Sequence, residues 1–100
     1  EGITTIKESS FGNCTKLTSV TIPNTVTKIE LDAFSGCGLK SVTIPTSVTE
    51  IDQYAFADCA NLSEVTYNSV KYTVRSELEN ALTSNDVTLG EGVFRGTALS

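Results

Sequence analysis

The stretch Leu39–Leu62, LKSVTIPTSVTEIDQYAFADCANL, decides the fold, because the chain before it repeats the same pattern. Residues 17–39 read LTSVTIPNTVTKIELDAFSGCGL. The two stretches share Ser-Val-Thr-Ile-Pro, Val-Thr, Ile, Ala-Phe, Cys and Leu in the same order. Self-similarity with a period of roughly 22–23 residues is typical of solenoids, in which each repeat adds one coil. The sequence therefore predicts a β-rich solenoid.

Four copies of the repeat can be aligned on apolar positions that keep their spacing. Each copy has an aliphatic residue, a phenylalanine five positions later and, three positions after that, a cysteine or, in the last copy, a threonine. These positions are Ile6, Phe11 and Cys14; Ile29, Phe34 and Cys37; Ile51, Phe56 and Cys59; and Leu89, Phe94 and Thr97. A single repeat cannot bury its own apolar face, so we expect equivalent residues to stack in successive coils.

The polar and apolar residues of each repeat predict a short β-strand. Ser19–Ile22 and Ser41–Ile44 alternate polar residues with β-branched apolar residues, which is the period of a half-buried strand. Pro23 and Pro45 end these strands, because proline has no N–H group to donate to a sheet. A second extended piece is expected a few residues later in each repeat.

Two details of the coil follow from the alignment. In the second extended piece, Lys28 and Glu50 occupy the same position, so we expect an exposed ion pair between neighbouring coils. The position before each Cys, or before Thr97, holds a residue that tolerates a positive φ angle. These residues are Asn13, Gly36, Asp58 and Gly96. We therefore predict a tight corner with a left-handed backbone there.

An insertion interrupts the array at residues 68–86. Ile29 follows Ile22 by seven positions, whereas Leu89 follows the equivalent residue Tyr67 by 22 positions. The first part of the insertion predicts a β-hairpin that turns at Asn68 and Ser69, with β-forming residues on both sides.

The second part of the insertion predicts a short helix near residues 77–84. Ser76 and Glu79 have the spacing of a capping box, in which the serine side chain caps the helix. Leu78, Ala81 and Leu82 then fall on one helical face.

The amino-acid composition limits the classes of partner that the chain is expected to bind. The formal charge is −5 and 19% of the residues are charged, with only seven Lys and Arg residues, which are scattered. Nucleic-acid binding calls for clustered basic residues, so we expect no nucleic-acid partner. No apolar run approaches the roughly 18–20 residues of a membrane span, so no membrane insertion is expected in this stretch. Because the chain begins inside a repeat, we expect residues 1–100 to be one solenoid domain cut from a longer array.

The repeat resembles the BspA-like leucine-rich repeat family of bacterial cell-surface proteins. The resemblance rests on the 22–23-residue unit with Ile-Pro, Ile…Ala-Phe and Cys…Leu in this order, best seen in VTIPTSVTEIDQYAFADCANL at Val42–Leu62. It implies a leucine-rich-repeat-type right-handed coil of about four repeats with a parallel β-sheet, carrying one inserted hairpin and short helix. It also implies a chain that is exported and adhesive rather than catalytic. This chain departs from the pattern at Asn68, which replaces a proline, and at Thr97, which replaces a cysteine.

The three cysteines leave three readings open. A buried column of free thiols that pack as small apolar side chains is favoured. A disulfide between Cys14 and Cys37, or between Cys37 and Cys59, is an alternative because neighbouring coils lie within disulfide range. A metal site is the third, although the chain has no His and no Cys-x₂-Cys pair.

Catalysis finds little support in the residue types. Without His, neither a Ser-His-Asp nor a Cys-His arrangement can form. The glycines near the end, Gly90, Gly92 and Gly96, do not have the spacing of a phosphate-binding loop. We therefore predict no catalytic residues, no metal and no cofactor.

Polar columns on the predicted sheet are the candidate binding surface. Solenoids present extended surfaces of this kind to their partners. The columns are Thr18, Lys40 and Ser63; Ser19, Ser41 and Glu64; and Thr21, Thr43 and Thr66. Tyr72 of the insertion is added as an aromatic candidate, although we favour a role for it in packing the insertion against the stack. The alternative is that these side chains are simply the solvated half of a half-buried sheet.

The sequence thus favours a non-catalytic cell-surface or secreted binding module. By the resemblance, the expected activity is adhesion to host proteins or to other cells, with a protein or a glycan as ligand. The alternative function is a structural spacer that projects another domain from the cell surface.

Overall fold

The computed structural model describes residues 3–100, which form eight short β-strands and one α-helix. In chain order these elements are β1 (Thr5–Ile6), β2 (Ser19–Thr21), β3 (Lys28–Ile29), β4 (Ser41–Ile44), β5 (Glu50–Ile51), β6 (Glu64–Tyr67), β7 (Val70–Tyr72), α1 (Arg75–Ser84) and β8 (Thr88–Leu89).

The strands form two four-stranded sheets. Successive repeats add one strand to each sheet, except that the last strand of the second sheet, β7, belongs to the insertion. The first sheet has the order β1-β3-β5-β8 and is parallel throughout. The second has the order β2-β4-β6-β7, in which only β7 is antiparallel to its neighbour. Ile6, Ile29, Ile51 and Leu89 pair in register across the first sheet, as the repeat alignment predicts.

A column of aromatic rings occupies the core between repeats. The centroids of Phe11 and Phe34 lie 5.0 Å apart, those of Phe34 and Phe56 5.2 Å apart, and those of Phe56 and Phe94 5.6 Å apart. The interplanar angles are 7° or less, so the four rings are stacked. The last three rings are fully buried, whereas Phe11, the first ring of the column, is 36% exposed. The predicted stacking of equivalent residues is confirmed.

Each phenylalanine lies between two residues with left-handed backbone. The predicted set after the ring is confirmed, with φ of 61° at Asn13, 73° at Gly36, 61° at Asp58 and 76° at Gly96. A second set before the ring was not predicted: Ser9, Asp32, Tyr54 and Gly92 have φ between 57° and 65°. Between the two corners the backbone points at the next repeat, so the Phe34 N–H donates to the Ala55 carbonyl at 2.7 Å.

The insertion begins with the predicted hairpin. Asn68 and Ser69 have φ of 53° and 66°, and both values are positive, as a two-residue type I′ turn requires. The turn reverses the chain, so β7 runs antiparallel to β6, with Tyr67 opposite Val70 and Val65 opposite Tyr72. The hairpin thereby places a strand beside β6 in the second sheet.

The predicted helix of the insertion is present, but the predicted capping box of Ser76 and Glu79 is wrong. The helix begins at Arg75, its N-cap is Val74, and no side chain caps it. Ser76 lies inside the first turn, because the Val74 carbonyl already accepts from the Leu78 N–H at 3.1 Å. The Arg75 N–H donates to the Ser100 carbonyl, so a backbone contact takes the place expected for a side-chain cap. Leu78 and Leu82 are fully buried, as predicted.

The left-handed corners predict a difference between two glycine substitutions. Gly36 has φ of +73°, and an added Cβ would approach the Asn13 side-chain oxygen at 2.5 Å. At Gly12 the nearest atom would be 3.5 Å away, an ordinary contact. We therefore expect Gly36→Ala to lower the free energy of unfolding by at least about 1–2 kcal/mol and Gly12→Ala to change it by less than about 0.5 kcal/mol. Urea unfolding measures both, and equal losses would contradict the assigned corner.

Candidate functional site

The outward side chains of three strands in the second sheet form one polar surface. We call it the hydroxyl face and define it by Ser19, Thr21, Ser41, Thr43, Glu64 and Thr66. The strand registers bring its members side by side in two rows, one through Ser41 and one through Thr43. The residues between them, Val42 and Val65, point inward and are almost fully buried. The polar columns predicted from the sequence are therefore adjacent in space.

Strand β7 adds a charged edge to this face. Lys71 pairs in register with Thr66, so it shares the row of Thr66. Its ammonium lies 3.4 Å from the Glu64 carboxylate, while 64% of the lysine side chain is exposed. The hydroxyl face is thus bordered by an ion pair whose charges compensate each other. Lys71 was not singled out from the sequence, although the hairpin prediction places it opposite Thr66.

Thr18, Lys40 and Ser63 border the hydroxyl face at the start of its strands. All three are exposed. The Lys40 N–H donates to the Thr18 carbonyl at 2.7 Å, and the Ser63 N–H donates to the Lys40 carbonyl at 3.2 Å. These backbone bonds hold the three side chains in one column, as the alignment predicts.

Tyr72 lies on the opposite side of the second sheet. It pairs with Val65, whose side chain is inward, and it packs against the hydrophobic core. The favoured prediction, that Tyr72 packs the insertion against the stack, is confirmed, and the structure separates this side chain from the polar columns beside which it was kept as a candidate. The alternation of side chains along a strand explains this, since Lys71 and Tyr72 are neighbours and must face opposite ways.

A cleft opens where the hairpin turn meets the preceding repeats. We call it the hairpin cleft; its volume is about 290 Å³. It is lined by Asn24, Thr43, Ile44, Pro45, Thr46, Thr66, Asn68 and Ser69. Thr43 and Thr66 belong also to the hydroxyl face, so the cleft is continuous with it. Six of the eight lining residues carry an amide or a hydroxyl group, although more of the exposed lining surface is apolar than polar. This mixture suits a ligand with both apolar and hydrogen-bonding groups and offers no acid–base pair.

A second aromatic feature lies at the corner before Phe56. Tyr54 adopts a φ of 58°, which is rare for a bulky residue. The Arg95 guanidinium carbon lies 4.9 Å from the centre of its ring, a cation–π contact. A Cβ at Gly92 would collide with the Tyr54 ring, so only glycine leaves it room. The repeat alignment puts Tyr54 above Asp32 and Ser9, but nothing in it predicts the partner.

The cysteines are free thiols, and their hydrogen bonds explain their positions. The Cys37 thiol donates to the Phe11 carbonyl at 2.7 Å, and the Cys59 thiol donates to the Phe34 carbonyl at 3.0 Å. Burial raises the pKa of Cys37, and it raises the pKa of Cys59 to about 11. The Thr97 hydroxyl also donates to a phenylalanine carbonyl, but to that of Phe94 in its own repeat, at 2.9 Å, and not to the preceding repeat.

Thiol burial predicts an order of chemical reactivity. Cys14 is half-buried, whereas Cys37 and Cys59 are buried and have raised pKa values. Since the thiolate is the reactive form, iodoacetamide at about pH 8 should label Cys14 at least about tenfold faster than Cys59. Peptide mass spectrometry measures the three rates, and labelling in urea is the control in which the rates should converge. Faster labelling of Cys59 in the folded protein would contradict the arrangement.

Two further kinds of feature bear on function: a metal site and a membrane-spanning helix. Among residues 3–100, no group of three or more His, Cys, Asp or Glu side chains is placed to hold a metal ion. Within the same range, no helix has both the length and the apolar content to cross a membrane.

Comparison with known proteins identifies the family of the repeat. Residues 1–95 match the BspA type leucine rich repeat region, in 6 copies. No curated protein and no solved structure matches the chain. The family suggests a repeat solenoid that serves as a surface protein-interaction module, typically without enzymatic activity. The repeat match covers nearly all of the chain, which therefore belongs to the BspA-type leucine-rich repeat family.

Proposed function

We propose that this chain is a non-catalytic binding module that is secreted or displayed on the cell surface, and that it adheres to a protein of a host or of another cell. The hydroxyl face is the proposed contact surface. The observation that carries the proposal is that its five hydroxyl side chains make no hydrogen bond with any other group in residues 3–100. Their hydrogen-bonding capacity is therefore available to a partner.

The outer side of the first sheet provides the contrast. Its Lys28 and Glu50 side chains form the predicted ion pair at 3.8 Å. Beside it, the Thr27 hydroxyl donates to the Thr4 carbonyl and the Thr49 hydroxyl donates to the Thr27 carbonyl. These polar groups are engaged with the neighbouring repeat, so they have less to offer a partner than the hydroxyl face has.

A protein surface suits the hydroxyl face better than a strongly charged partner does. The one carboxylate of the face, Glu64, is compensated by Lys71. Protein interfaces carry roughly one hydrogen bond per 100–200 Å² and are no more apolar than the rest of the surface. A row of uncommitted hydroxyls, with methyl groups on the threonines, matches that composition. Adhesion to extracellular proteins is the activity that family membership and this surface support together.

Paired arginine substitutions test the proposal. Thr21 and Thr88 are both exposed, and both lie in edge strands, Thr21 on the hydroxyl face and Thr88 in the first sheet. An arginine at position 21 introduces bulk and charge into the proposed contact. We expect Thr21→Arg to weaken binding to immobilised extracellular-matrix proteins at least about tenfold, or about 1.4 kcal/mol. Thr88→Arg, the matched control, should change it less than about twofold, as measured by surface plasmon resonance.

Two outcomes would overturn the proposal. If Thr88→Arg weakens binding as much as Thr21→Arg does while circular dichroism shows both variants folded, the hydroxyl face is not the contact surface. If the unsubstituted chain binds none of the matrix proteins, adhesion to them is refuted and the structural-spacer alternative gains support.

A further inference from the structure

We propose that the hairpin cleft is a binding site for one uncharged sugar residue of a glycan. The inference goes beyond the protein-adhesion proposal and does not depend on it, because it rests on the shape and chemistry of the cleft.

Three successive repeats build the cleft. The pairing of Ile44 with Tyr67 puts Pro45 and Asn68 side by side in neighbouring repeats. Asn68 stands where the other repeats have proline, so the insertion brings an amide to this position. The proline ring gives the cleft an apolar patch beside the amide. A sugar ring, which has both C–H and hydroxyl groups, needs both kinds of surface.

The polar side chains of the cleft have no partners of their own. Thr43, Thr46, Thr66, Asn68 and Ser69 make no side-chain hydrogen bond within residues 3–100. By contrast, two hydroxyls that lie one residue beyond the lining do make hydrogen bonds.

Those neighbouring hydroxyls are Thr25 and Ser47. Thr25 donates to the Ile3 carbonyl at 2.6 Å, and Ser47 donates to the Val26 carbonyl at 2.7 Å. Free hydroxyl and amide groups thus line the cleft, and free hydroxyls continue from it onto the adjoining hydroxyl face. Both kinds of group donate and accept, as sugar hydroxyls do.

The charges around the cleft favour a neutral ligand. None of its eight lining residues is charged. The charged residues on the adjoining strands, Glu64 and Lys71, are paired with each other at 3.4 Å. An acidic or basic ligand would therefore lose its hydration without gaining a counter-charge. This distinguishes the cleft from the larger one, about 440 Å³, whose lining includes Arg75, Glu79, Glu91 and Arg95.

The walls of the cleft are held in place before a ligand arrives. The type I′ turn fixes the backbone at Asn68 and Ser69, and both strands of the hairpin belong to the second sheet. A preformed site loses little conformational entropy when it binds. The volume of about 290 Å³ is near the lower end for small-molecule clefts, so it suits a single ring. A contact of that size is expected to have a dissociation constant of the order of millimolar.

The test is an NMR titration of the ¹⁵N-labelled chain. The probes are methyl α-glucoside, methyl α-mannoside, methyl β-galactoside and N-acetylglucosamine, each raised to tens of millimolar. At least one should produce saturable shifts of the Thr46, Thr66, Asn68 and Ser69 amides. Glucuronate, an anionic analogue, should bind at least about fivefold more weakly than the best neutral sugar, since the cleft lacks a counter-charge.

Two variants and one control locate the site. Asn68→Gly removes the amide but keeps the turn, because glycine accepts a positive φ. Thr66→Val removes the hydroxyl and keeps the shape of the side chain. Each should weaken binding about fivefold, the effect of one lost hydrogen bond. Thr88→Val makes the same change at an exposed position of the first sheet, outside both the cleft and the hydroxyl face, and should leave binding unchanged.

The outcomes that would overturn the inference are distinct from failure of the adhesion proposal. No saturable shift with any neutral sugar, or shifts that survive both variants, would refute the site. Equal binding of glucuronate would refute the preference for a neutral ligand. A Ser/Thr/Asn-rich peptide that shifts these amides when no sugar does would assign the cleft to protein recognition instead.

Discussion

The stacking of each repeat on the next is the constraint on which the rest of the structure depends. The phenylalanine rings repeat at 5.0–5.6 Å, close to the spacing of strands within a sheet, so ring stacking and strand pairing are satisfied by the same rise. One left-handed residue on either side of each ring turns the backbone so that its N–H groups reach the next repeat. The core and the sheets therefore form together, and neither is complete within a single repeat.

The insertion shows how this constraint tolerates change. Its strand β7 enters the second sheet and its helix buries Leu78 and Leu82, while β8 rejoins the first sheet in register with β5. The added segment thus keeps the strand count of the two sheets equal. It also places an amide and a turn where earlier repeats have proline, and this creates the cleft beside the hydroxyl face. The hydroxyl face thus follows from the periodic repeats, whereas the hairpin cleft exists because the insertion interrupts them.

Most features that share a position in the aligned repeats could be predicted from the sequence, although the left-handed residues before each ring were missed. Contacts peculiar to one repeat could not be predicted. The strand positions, the ring column, the corners at Asn13 and Gly36 and the ion pair of Lys28 with Glu50 all follow from alignment of the repeats. The helix start was wrong because Arg75 bonds to Ser100, a contact that local capping patterns do not encode. The inward position of Tyr72 could be predicted, because a two-residue turn at Asn68 and Ser69 pairs Tyr72 with the inward Val65. The contact of Arg95 with Tyr54 had no sequence signal, because it joins residues of different repeats that do not share an aligned position.

The measurement that tests this account most directly compares two phenylalanine truncations. Phe34 has a ring stacked on each face and is fully buried, whereas Phe11 is stacked on one face and 36% exposed. We expect Phe34→Ala to lower the free energy of unfolding by about 3–5 kcal/mol or to unfold the chain outright. Phe11→Ala should cost less than about half of that, since less buried surface is lost. Equal losses in urea unfolding would contradict the claim that stacking between repeats holds the fold.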